Sequence, residues 1–540
     1  MDKFVPARYQ PALPLDKIIL PDGAPGAGDR MEVDVLIVGA GPAGLACAIE
    51  LAKLAKGDGS ELNIAVLEKA EALGEHSLSG AVVNPRALRE LFPELTAADF
   101  PLRAPVTKES VYLLTARGKL RLPTPPTMHN RGYFVASLCE LVRWLGAKAE
   151  ELGVNIFTGF PAAQLLVRQE SVAGVRTVAT GLDREGNPSA GGAAPNDLVA
   201  KVTALAEGTR GLLAQAWYQW QNVPSQNPQI FALGVKELWE TKQPLDRVIH
   251  TLGWPLPRDA FGGSFIYPLE PNLVALGLVV GLDYRDAALD VHQLVQRLKQ
   301  HPLLQPLLAG GELVEWGAKT IPEGGFYGLP QQRAGEGLVI LGDAAGFVDV
   351  PSLKGIHYAM QSGMFAARAI FQHLKNGAAL TEYDRLVDAS YIAADLYRTR
   401  NMRLAFRDGF YLGGVQAGLM TLTGGRFPGG RYRMHADAAV VRRTDGAAAP
   451  AAEGISKVDA VFKSGNTTRD TIPNHLIVAP DVPTAVARFY AHMCPAGVYE
   501  AMEGGLRINA PNCVDCKATD VLGPRWTPRE GGSGPKYKLL

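Results

Sequence analysis

A glycine-rich turn between an apolar run and a helical pattern constrains the fold of this chain more than any other feature. Residues 33–38 (VDVLIV) have the composition of a buried strand, and residues 39–44 (GAGPAG) follow them directly. Apolar side chains then recur at helical spacing, and a second apolar run over residues 62–67 ends in Glu68. This order is typical of the unit that binds a dinucleotide at the end of a parallel sheet. We therefore predict an α/β fold.

The glycines of this turn and the acid after the second strand each suit one part of a dinucleotide. Gly39 permits the tight turn, Gly41 lets the backbone approach a pyrophosphate, and Gly44 permits close packing of helix on strand. Glu68 is placed to accept hydrogen bonds from ribose hydroxyls. A glycine turn before a helix also occurs without a nucleotide. Here strand, helix, second strand and acid are in register, which predicts dinucleotide binding.

Another apolar strand followed by Gly-Asp lies roughly three hundred residues further along the chain. Residues 337–341 predict this strand, Gly342 and Asp343 follow it, and a helical pattern covers about residues 355–375. A Gly-Asp pair alone is a common turn. Together with the N-terminal unit, it places a carboxylate beside a second part of the dinucleotide, which favours FAD over NAD.

The composition excludes several other classes of protein. The chain has 540 residues, 47% hydrophobic and 20% charged, which is enough for several domains with a large core. Lys plus Arg and Asp plus Glu both number 54, and this zero net charge argues against nucleic-acid binding. Five cysteines exclude a disulfide scaffold and suit a reducing compartment. No apolar run has the length and freedom from charge of a transmembrane helix.

Several separated segments carry a resemblance to one family. Among them are VGAGPAGL (38–45), HSLSGAVVNPRAL (76–88), FGGSFIY (261–267), GDAAGFVDVPSLKGIHYAMQSG (342–363), CPAGVYE (494–500) and INAPNCVDCK (508–517). From about residue 31 to the C-terminus the chain resembles the electron transfer flavoprotein–ubiquinone oxidoreductases. The resemblance implies a glutathione-reductase-like FAD-binding fold, a β-rich quinone-binding domain and a C-terminal ferredoxin-like iron–sulfur domain.

The resemblance also implies the cofactors and partners. Such enzymes use FAD, one [4Fe-4S] cluster and ubiquinone, on a monomer bound to one leaflet of a membrane. Electrons arrive singly from reduced electron transfer flavoprotein, pass through the cluster and FAD, and leave in pairs as ubiquinol. A flavin suits this task because it exchanges electrons one at a time or in pairs. We expect no catalytic acid, base or nucleophile.

The family pattern assigns the cofactor contacts residue by residue. It places the adenosine and pyrophosphate on the glycine turn and Glu68, and the ribityl–phosphate part on Asp343. Gly262 and Gly263 would face the quinone head group, although on pattern alone a Gly-Gly pair before a strand is a turn or bulge. For His357 and Tyr358, packing and a flavin-side role are equally compatible with the sequence. The isoalloxazine ring would be approached by Ser79, Gly80, Gly355 and Ile356.

The cluster site implied by the resemblance is incomplete. Cys494, Cys513 and Cys516 have ferredoxin-like spacing, and iron–sulfur clusters are held by thiolates. The expected fourth cysteine is replaced by Thr519. A zinc site would also lack a ligand, and three unrelated thiols are a further alternative. We favour a three-cysteine [4Fe-4S] cluster; an iron ligated by oxygen from Thr519, Asp520 or water, a [3Fe-4S] cluster and an absent cluster stay open.

An apolar segment over residues 406–423 is the best candidate for membrane contact. Its large side chains fall mainly at helical spacing, and three arginines that suit anionic head groups follow it. A helix facing the core gives the same pattern. The apolar residues are Phe410, Tyr411, Leu412, Val415, Leu419, Met420 and Leu422, and the arginines are Arg426, Arg431 and Arg433.

The resemblance and the composition together predict a division of the chain. Residues 1–30 form a leader segment, 31–220 and 335–440 bind FAD, 221–334 bind ubiquinone, and 441–540 hold the cluster. Residues 437–453, rich in Ala and Asp, are interpreted as a linker. The first thirty residues lack the composition of a transit peptide, so we expect the cytoplasmic face of a bacterial inner membrane.

Two alternative functions use the same sequence features. A FAD-dependent monooxygenase or a reductase of isoprenoid double bonds has a similar FAD frame, but neither explains the cysteine-rich C-terminal region. The other alternative is a redox-impaired docking partner, if the cluster is missing.

Overall fold

The computed structural model of the chain describes residues 3–80, 82–444 and 452–540. Part of the predicted linker, residues 445–451, lies outside the described residues. Within the described ranges the chain forms two large sheets, helices packed against them and a smaller C-terminal unit.

The first large sheet carries the predicted dinucleotide unit. Arg30–Val38 lies between Asp197–Leu205 and Ile64–Glu68, and both neighbours run parallel to it. Pro42–Asp58 follows the glycine turn and packs along Ile356–Asn376. Parallel strands are buried on both faces, which explains their continuous apolar runs. The nine strands are Ile19–Pro21, Ala162–Arg168, Ser171–Thr177, Asp197–Leu205, Arg30–Val38, Ile64–Glu68 and Asn155–Thr158 in spatial order, with Ala334–Gly335 and Leu338–Ile340 off this path.

The second large sheet has seven strands and is antiparallel except for one pair. Val248–Gly253 runs parallel to Glu109–Leu114, while every other neighbouring pair is antiparallel. In spatial order the strands are Glu312–Pro322, Phe231–Glu240, Leu273–Gly281, Gly262–Glu270, Val248–Gly253, Glu109–Leu114 and Lys119–Leu122.

The C-terminal unit shares its apolar core with the second sheet. Trp316 from the sheet and Phe489 from Thr484–Met493 belong to one buried cluster, which also holds all three C-terminal cysteines. The unit therefore folds onto the sheet. Its helices are Lys457–Lys463, Thr484–Met493 and Ala518–Leu522, and its strand pairs are Leu476–Ile477 with Arg525–Trp526 and Tyr499–Met502 with Gly505–Ile508.

The remaining elements connect these three parts. The other α-helices are Leu15–Ile18, Arg86–Leu91, Leu138–Glu151, Leu212–Trp220, Val291–Lys299, Gln305–Leu308, Gly325–Gly328, Glu382–Asp388, Tyr391–Arg398 and Phe410–Leu422. Short 3-10 helices cover Pro6–Tyr9, Pro126–Met128, Gly342–Ala345, Leu404–Asp408, Asp437–Ala439 and Ala510–Asn512. Small strand pairs join Lys3–Phe4 to Arg442–Arg443, Val82–Val83 to Phe134–Val135, and Thr180–Leu182 to Pro188–Ala193.

The sheets depart from the predicted division of the chain in two places. Ile19–Pro21, within the predicted leader, pairs with Ala162–Arg168 and is an edge strand of the first sheet. The hairpin over residues 109–122, predicted within the FAD-binding part, extends the second sheet instead. Both segments are short and lack strong periodicity, so only pairing with distant strands fixes them.

The predicted α/β fold is confirmed: a mixed sheet, whose strands around the glycine turn are parallel, is joined to a β-rich second sheet and a small cysteine-containing unit. In the part of the chain that the structure describes, no helix combines the length and the apolar character needed to cross a membrane.

Candidate functional site

One elongated cavity of about 620 Å³ lies between the two large sheets. This volume is within the range of about 300–1,000 Å³ that small-molecule and cofactor sites occupy. The cavity brings together ten of the residues that the sequence analysis singled out for FAD and quinone. They are Gly39, Gly41, Glu68, Ser79, Gly80, Gly262, Gly263, Asp343, Gly355 and Ile356.

The glycine turn forms one end of this cavity. Gly39 has a φ of +107°, and a Cβ atom there would lie 2.4 Å from the Ala206 carbonyl oxygen. A Cβ at Gly41 would meet nothing within 4 Å, so the backbone is open toward the cavity where the helix begins. Gly44 lies beneath the turn, where a Cβ would clash with the Gly39 carbonyl oxygen. This cradle fits a pyrophosphate, because helix N-termini offer unpaired N–H groups to anions.

Two carboxylates flank the same end of the cavity. The Glu68 carboxylate accepts hydrogen bonds from the backbone N–H of Ala40 at 3.1 Å and of Ala70 at 2.9 Å, which fixes its position beside the turn. Asp343 lies in the short helix Gly342–Ala345 and accepts a hydrogen bond from the Thr209 hydroxyl at 3.4 Å. Burial raises the pKa of Asp343 to about 6.

Three lysines that the sequence analysis missed also line the cavity. Burial lowers the pKa of Lys236, Lys319 and Lys354 to about 8 in each case. The Lys236 ammonium donates to the Ser79 carbonyl oxygen at 2.8 Å, which holds the backbone of the predicted flavin-side segment. The available signal was a lysine within a mainly apolar strand, as at positions 236 and 319.

The glycine pair predicted to face a quinone lines the same cavity. Gly262 has a φ of +151°, and a Cβ there would lie 2.0 Å from the Val279 carbonyl oxygen. A Cβ at Gly263 would lie 2.5 Å from the Thr251 carbonyl oxygen. Both residues stand at the start of the strand Gly262–Glu270. The close backbone of the neighbouring strands is therefore a packing reason for glycine at both positions.

The far end of the cavity runs along the helix Phe410–Leu422. Small residues of this helix line the cavity, including Gly414, Ala417 and Gly418. The opposite face exposes large apolar side chains to solvent: Tyr411 is 61% exposed, Val415 63% and Leu422 85%. One helix therefore separates the cavity from an apolar surface patch.

The structure corrects two details of this segment. The helix starts at Phe410 rather than at 406, because Gly409, with a φ of +98°, separates it from the short helix Leu404–Asp408. Met420 is buried and packs against Met402 and Ala405, so it does not belong to the exposed face. Arg426, Arg431 and Arg433 follow the helix and are exposed.

His357 and Tyr358 pack among aromatic rings. The His357 ring lies 4.2 Å from the Tyr358 ring and stacks on Tyr391 at 6.2 Å, measured between centroids. The described part of the cavity wall includes the preceding residue, Ile356, but neither of these two side chains. Packing is therefore the interpretation that the geometry favours.

The three C-terminal cysteines are buried together. Cys494 ends the helix Thr484–Met493, while Cys513 and Cys516 lie in the loop before Ala518–Leu522. Burial raises the pKa of all three thiols, that of Cys513 to about 12. Metal binding would have to displace the thiol protons.

A buried histidine beside the cysteines bears on whether this pocket fits a cluster. His475 is 3% exposed, and neither of its ring nitrogens has a hydrogen-bond partner among the residues that the structure describes. A ring nitrogen of His475 lies within 4.8 Å of the Cys513 sulfur and of an Asp515 carboxylate oxygen. A cluster sulfur beside this ring would satisfy the buried N–H. Three clustered thiols and an orphaned donor therefore fit an iron–sulfur cluster at three of its corners.

The cysteine loop lies directly against the cavity wall. The Thr320 N–H donates to the Cys516 carbonyl oxygen at 2.9 Å, and the adjacent Lys319 faces the cavity. Lys69, which follows Glu68, forms an ion pair with Asp515. Lys517 and Trp526 from the C-terminal unit themselves line the cavity. One strand and a few side chains thus separate the predicted cluster site from the predicted flavin site.

Comparisons with known proteins decide among the functions that this geometry permits. Residues 231–321 match the family described as ETF-QO, ubiquinone-binding, and residues 454–538 match electron transfer flavoprotein-ubiquinone oxidoreductase, 4Fe-4S. Residues 37–91 match the NAD(P)-binding Rossmann-like domain. The mitochondrial electron transfer flavoprotein-ubiquinone oxidoreductase of Oryza sativa subsp. japonica is 38% identical over 95% of this chain and 94% of its own length. That of Bos taurus is 38% identical over 94% and 89%.

The chain belongs to the electron transfer flavoprotein–ubiquinone oxidoreductase family. It is an electron-transferring-flavoprotein dehydrogenase that uses FAD and a [4Fe-4S] cluster and reduces ubiquinone. The monooxygenase, isoprenoid-reductase and docking-partner alternatives are not favoured by an alignment that covers nearly the whole chain.

Solved structures share the fold of this oxidoreductase. A geranylgeranyl bacteriochlorophyll reductase-like protein from Thermoplasma acidophilum is 19% identical, with a TM-score of 0.57 over 74% of this chain and 92% of that protein. A flavin-dependent brominase is 18% identical, with a TM-score of 0.51 over 73% and 94%. At these identities the likeness describes the FAD-binding architecture alone.

Proposed function

We propose that the elongated cavity holds FAD at its glycine-turn end and the ubiquinone head group at Gly262 and Gly263, with the quinone tail leaving along the helix Phe410–Leu422. The observation that carries this proposal is that the cavity is continuous. A single cavity joins the dinucleotide turn to the inner face of a helix whose outer face is apolar and exposed. A lipid-soluble substrate needs such a passage from a membrane to a buried cofactor.

Individual side chains would hold the parts of FAD in this arrangement. Gly39, Gly41 and Gly44 leave room for the pyrophosphate, and the pre-positioned Glu68 would accept from the ribose. Asp343 would accept from a ribityl hydroxyl. When bound, FAD and the cluster supply one-electron exchange, which the side chains themselves cannot provide. The isoalloxazine ring would lie against Ser79, Gly80, Gly355 and Ile356.

Cys494, Cys513 and Cys516 would hold the cluster. The strand Glu312–Pro322 separates this site from the cavity, and it contacts the cysteine loop through the hydrogen bond between Thr320 and Cys516. Lys319 on that strand places a buried ammonium group between the two redox sites. This short separation supports electron entry at the cysteine loop and exit at the quinone.

The exposed apolar face supports attachment to a membrane surface. Tyr411, Val415 and Leu422 would enter the interfacial region of one leaflet, with Arg426 and Arg431 near anionic head groups. We propose a monotopic monomer, in which this face contacts lipid rather than a second copy. The relatives are named as mitochondrial proteins; for this chain the cytoplasmic face of a bacterial inner membrane stays our prediction.

We also propose a separate binding role for each structural part. The first sheet and its helices would bind FAD, the second sheet with its hairpin over residues 109–122 would form the quinone side, and the C-terminal unit would hold the cluster. We keep the boundaries over 31–220, 221–334, 335–440 and 441–540 as our proposed division of the chain, apart from the two departures described above.

A substitution that narrows the cavity tests the proposed quinone passage. Ala417→Phe places a bulky ring on the inner face of the helix, whereas Val415→Phe places the same ring on the outer face. We expect A417F to retain FAD but to lose at least tenfold in the rate of long-tailed ubiquinone reduction. V415F should retain the wild-type rate. Equal rates in both variants would refute the passage.

A further inference from the structure

The position that replaces the fourth cysteine is occupied by a hydroxyl that already has partners. The Thr519 hydroxyl shares a hydrogen bond with the Tyr499 hydroxyl and lies 3.3 Å from the Pro524 carbonyl oxygen. A hydroxyl has one hydrogen to donate. If Thr519 donates it to Pro524, Tyr499 donates to Thr519, and both groups are satisfied without a metal. Thr519 is 7% exposed, so this arrangement is internal.

Asp520, the other oxygen donor considered for the cluster, is held on the side of the FAD-binding unit. Its Oδ2 atom accepts from the Arg210 guanidinium at 2.8 Å and from the Gln215 amide at 3.1 Å. Its Oδ1 atom accepts from the backbone N–H of Trp526 at 3.2 Å. Moving this carboxylate to an iron would break three hydrogen bonds and separate it from the half-buried Arg210 guanidinium.

His475 does not replace the missing ligand either. Its ring nitrogen lies within 4.8 Å of the Cys513 sulfur, which places it at a corner that already has a thiolate. The ring is suited to donate a hydrogen bond to that sulfur.

We propose that the cluster of this chain is held by Cys494, Cys513 and Cys516 alone and that its fourth iron binds a solvent-derived water or hydroxide. This inference rests on the proposed cluster site. Thr519 stands at the sequence position of the missing cysteine, and its hydroxyl and that of Tyr499 would provide polar neighbours for such a ligand. Oxygen is a harder ligand than thiolate, so this iron is chemically distinct from the other three.

An open corner predicts a defined oxidative reaction. Ferricyanide takes one electron from the [4Fe-4S]²⁺ cluster, and the resulting [4Fe-4S]³⁺ cluster releases the distinct iron as Fe²⁺, which leaves [3Fe-4S]⁺. Adding Fe²⁺ together with dithionite, which returns one electron, restores the original cluster. Four thiolate ligands would hold the fourth iron more firmly, so the same treatment should convert a much smaller fraction of the clusters.

The test uses the full-length protein purified anaerobically with ⁵⁷Fe. We expect Mössbauer spectra with one iron in four distinct, a coupling to ¹⁷O when the reduced protein is placed in H₂¹⁷O, and a [3Fe-4S] electron paramagnetic resonance signal after one equivalent of ferricyanide. Thr519→Cys should remove the ¹⁷O coupling and suppress the [3Fe-4S] signal. Thr519→Val, similar in shape but without the hydroxyl, should keep the distinct iron.

Each alternative gives a different result. Four equivalent irons in the wild-type protein would overturn the inference, and so would a distinct iron without ¹⁷O coupling. Loss of the fourth iron in Asp520→Asn or His475→Ala, with a wild-type protein that resists ferricyanide, would identify that residue as the ligand. FAD without iron or acid-labile sulfide would instead refute the proposed cluster site itself. The wild-type spectra decide the matter even if T519C does not fold.

Discussion

The protonation of Asp343 should make FAD binding pH-dependent. Burial raises its pKa to about 6, so the carboxylate is mostly charged at pH 7 and mostly protonated at pH 5. Only the charged form accepts fully from a ribityl hydroxyl. If binding requires that form, the dissociation constant of FAD should rise about tenfold between pH 7 and pH 5. Fluorescence titration of the apoprotein measures this change, and Asp343→Asn should give a flat profile.

Lys319 should set the potentials of both redox sites. Its ammonium group lies at the cavity wall next to the cysteine loop, and a positive charge there stabilises the reduced forms. Lys319→Met should lower both midpoint potentials by on the order of 70 mV, as expected for a charge about 10 Å away at an effective dielectric constant of about 20. Lys319→Arg should stay near wild type.

Spectroelectrochemical titration distinguishes this role from a structural one. A matched control is Lys201→Met, since Lys201 is 67% exposed in its ion pair with Asp34. Unchanged potentials in K319M would mean that the charge does not act on either site. A shift in K201M of the same size would point to a general change in the protein.

Individual residues differ in how well the sequence predicts them. Gly39 and Gly41 follow a motif whose physical demand, a tight turn open to a phosphate, is local. Lys319 belongs to no sequence motif. It lies beside the cysteine loop only because that loop, distant in sequence, packs against its strand. The same holds for Lys69, whose pairing with Asp515 spans most of the chain.

The helix Phe410–Leu422 should decide membrane binding. Leu422→Asp puts a charge on the most exposed part of its apolar face, where Leu422 is 85% exposed. We expect loss of co-sedimentation with anionic vesicles and at least tenfold slower reduction of vesicle-borne ubiquinone. Reduction of a short-tailed, water-soluble quinone should be unchanged, because that substrate does not need the bilayer.

A matched control lies on another helix. Phe462 in Lys457–Lys463 is 83% exposed, so Phe462→Asp adds the same charge to a comparable site. Vesicle binding should be retained in F462D. If both variants lose binding equally, the exposed face of Phe410–Leu422 has no special role.

At the scale of elements, long periodic segments were predicted better than short ones. The sequence predicts a helix over about residues 355–375, and the structure has Ile356–Asn376. The sequence did not predict the edge strand Ile19–Pro21 or the hairpin over residues 109–122. The strands with which they pair lie far away in sequence. The helix 406–423 was predicted too long, since Gly409 interrupts it with a positive φ.

The docking of the C-terminal unit depends on buried charge pairs. Arg210 in the FAD-binding part pairs with Asp520, whose side chain is 3% exposed. Arg210→Met removes the nearer of the two arginines that pair with this buried carboxylate and should destabilise the protein by about 3 kcal/mol. Thermal unfolding of the holoprotein measures the loss. Arg469→Met removes the surface pair with Glu530 and should cost under about 1 kcal/mol.

At the scale of the molecule, the order of the FAD-binding, quinone-binding and cluster-binding parts along the chain was predictable from the sequence. The contacts between these parts were not. The glycine turn, the Gly-Asp motif and the three cysteines lie at separate places in the sequence, and only the fold brings all of them around one cavity wall. Sequence motifs identify the chemistry of each part. The path between the parts depends on packing, which no local pattern encodes.

One measurement tests the central claim, that electrons from reduced electron transfer flavoprotein cross this chain to ubiquinone. Fully reduced electron transfer flavoprotein is mixed anaerobically with the vesicle-bound holoprotein, and ubiquinone in the bilayer is followed by absorbance. We predict one ubiquinol for every two electrons that leave the flavoprotein, with no requirement for NAD(P)H or oxygen. Oxidation of the flavoprotein without ubiquinol, or ubiquinol formation only when NAD(P)H is added, would contradict the account.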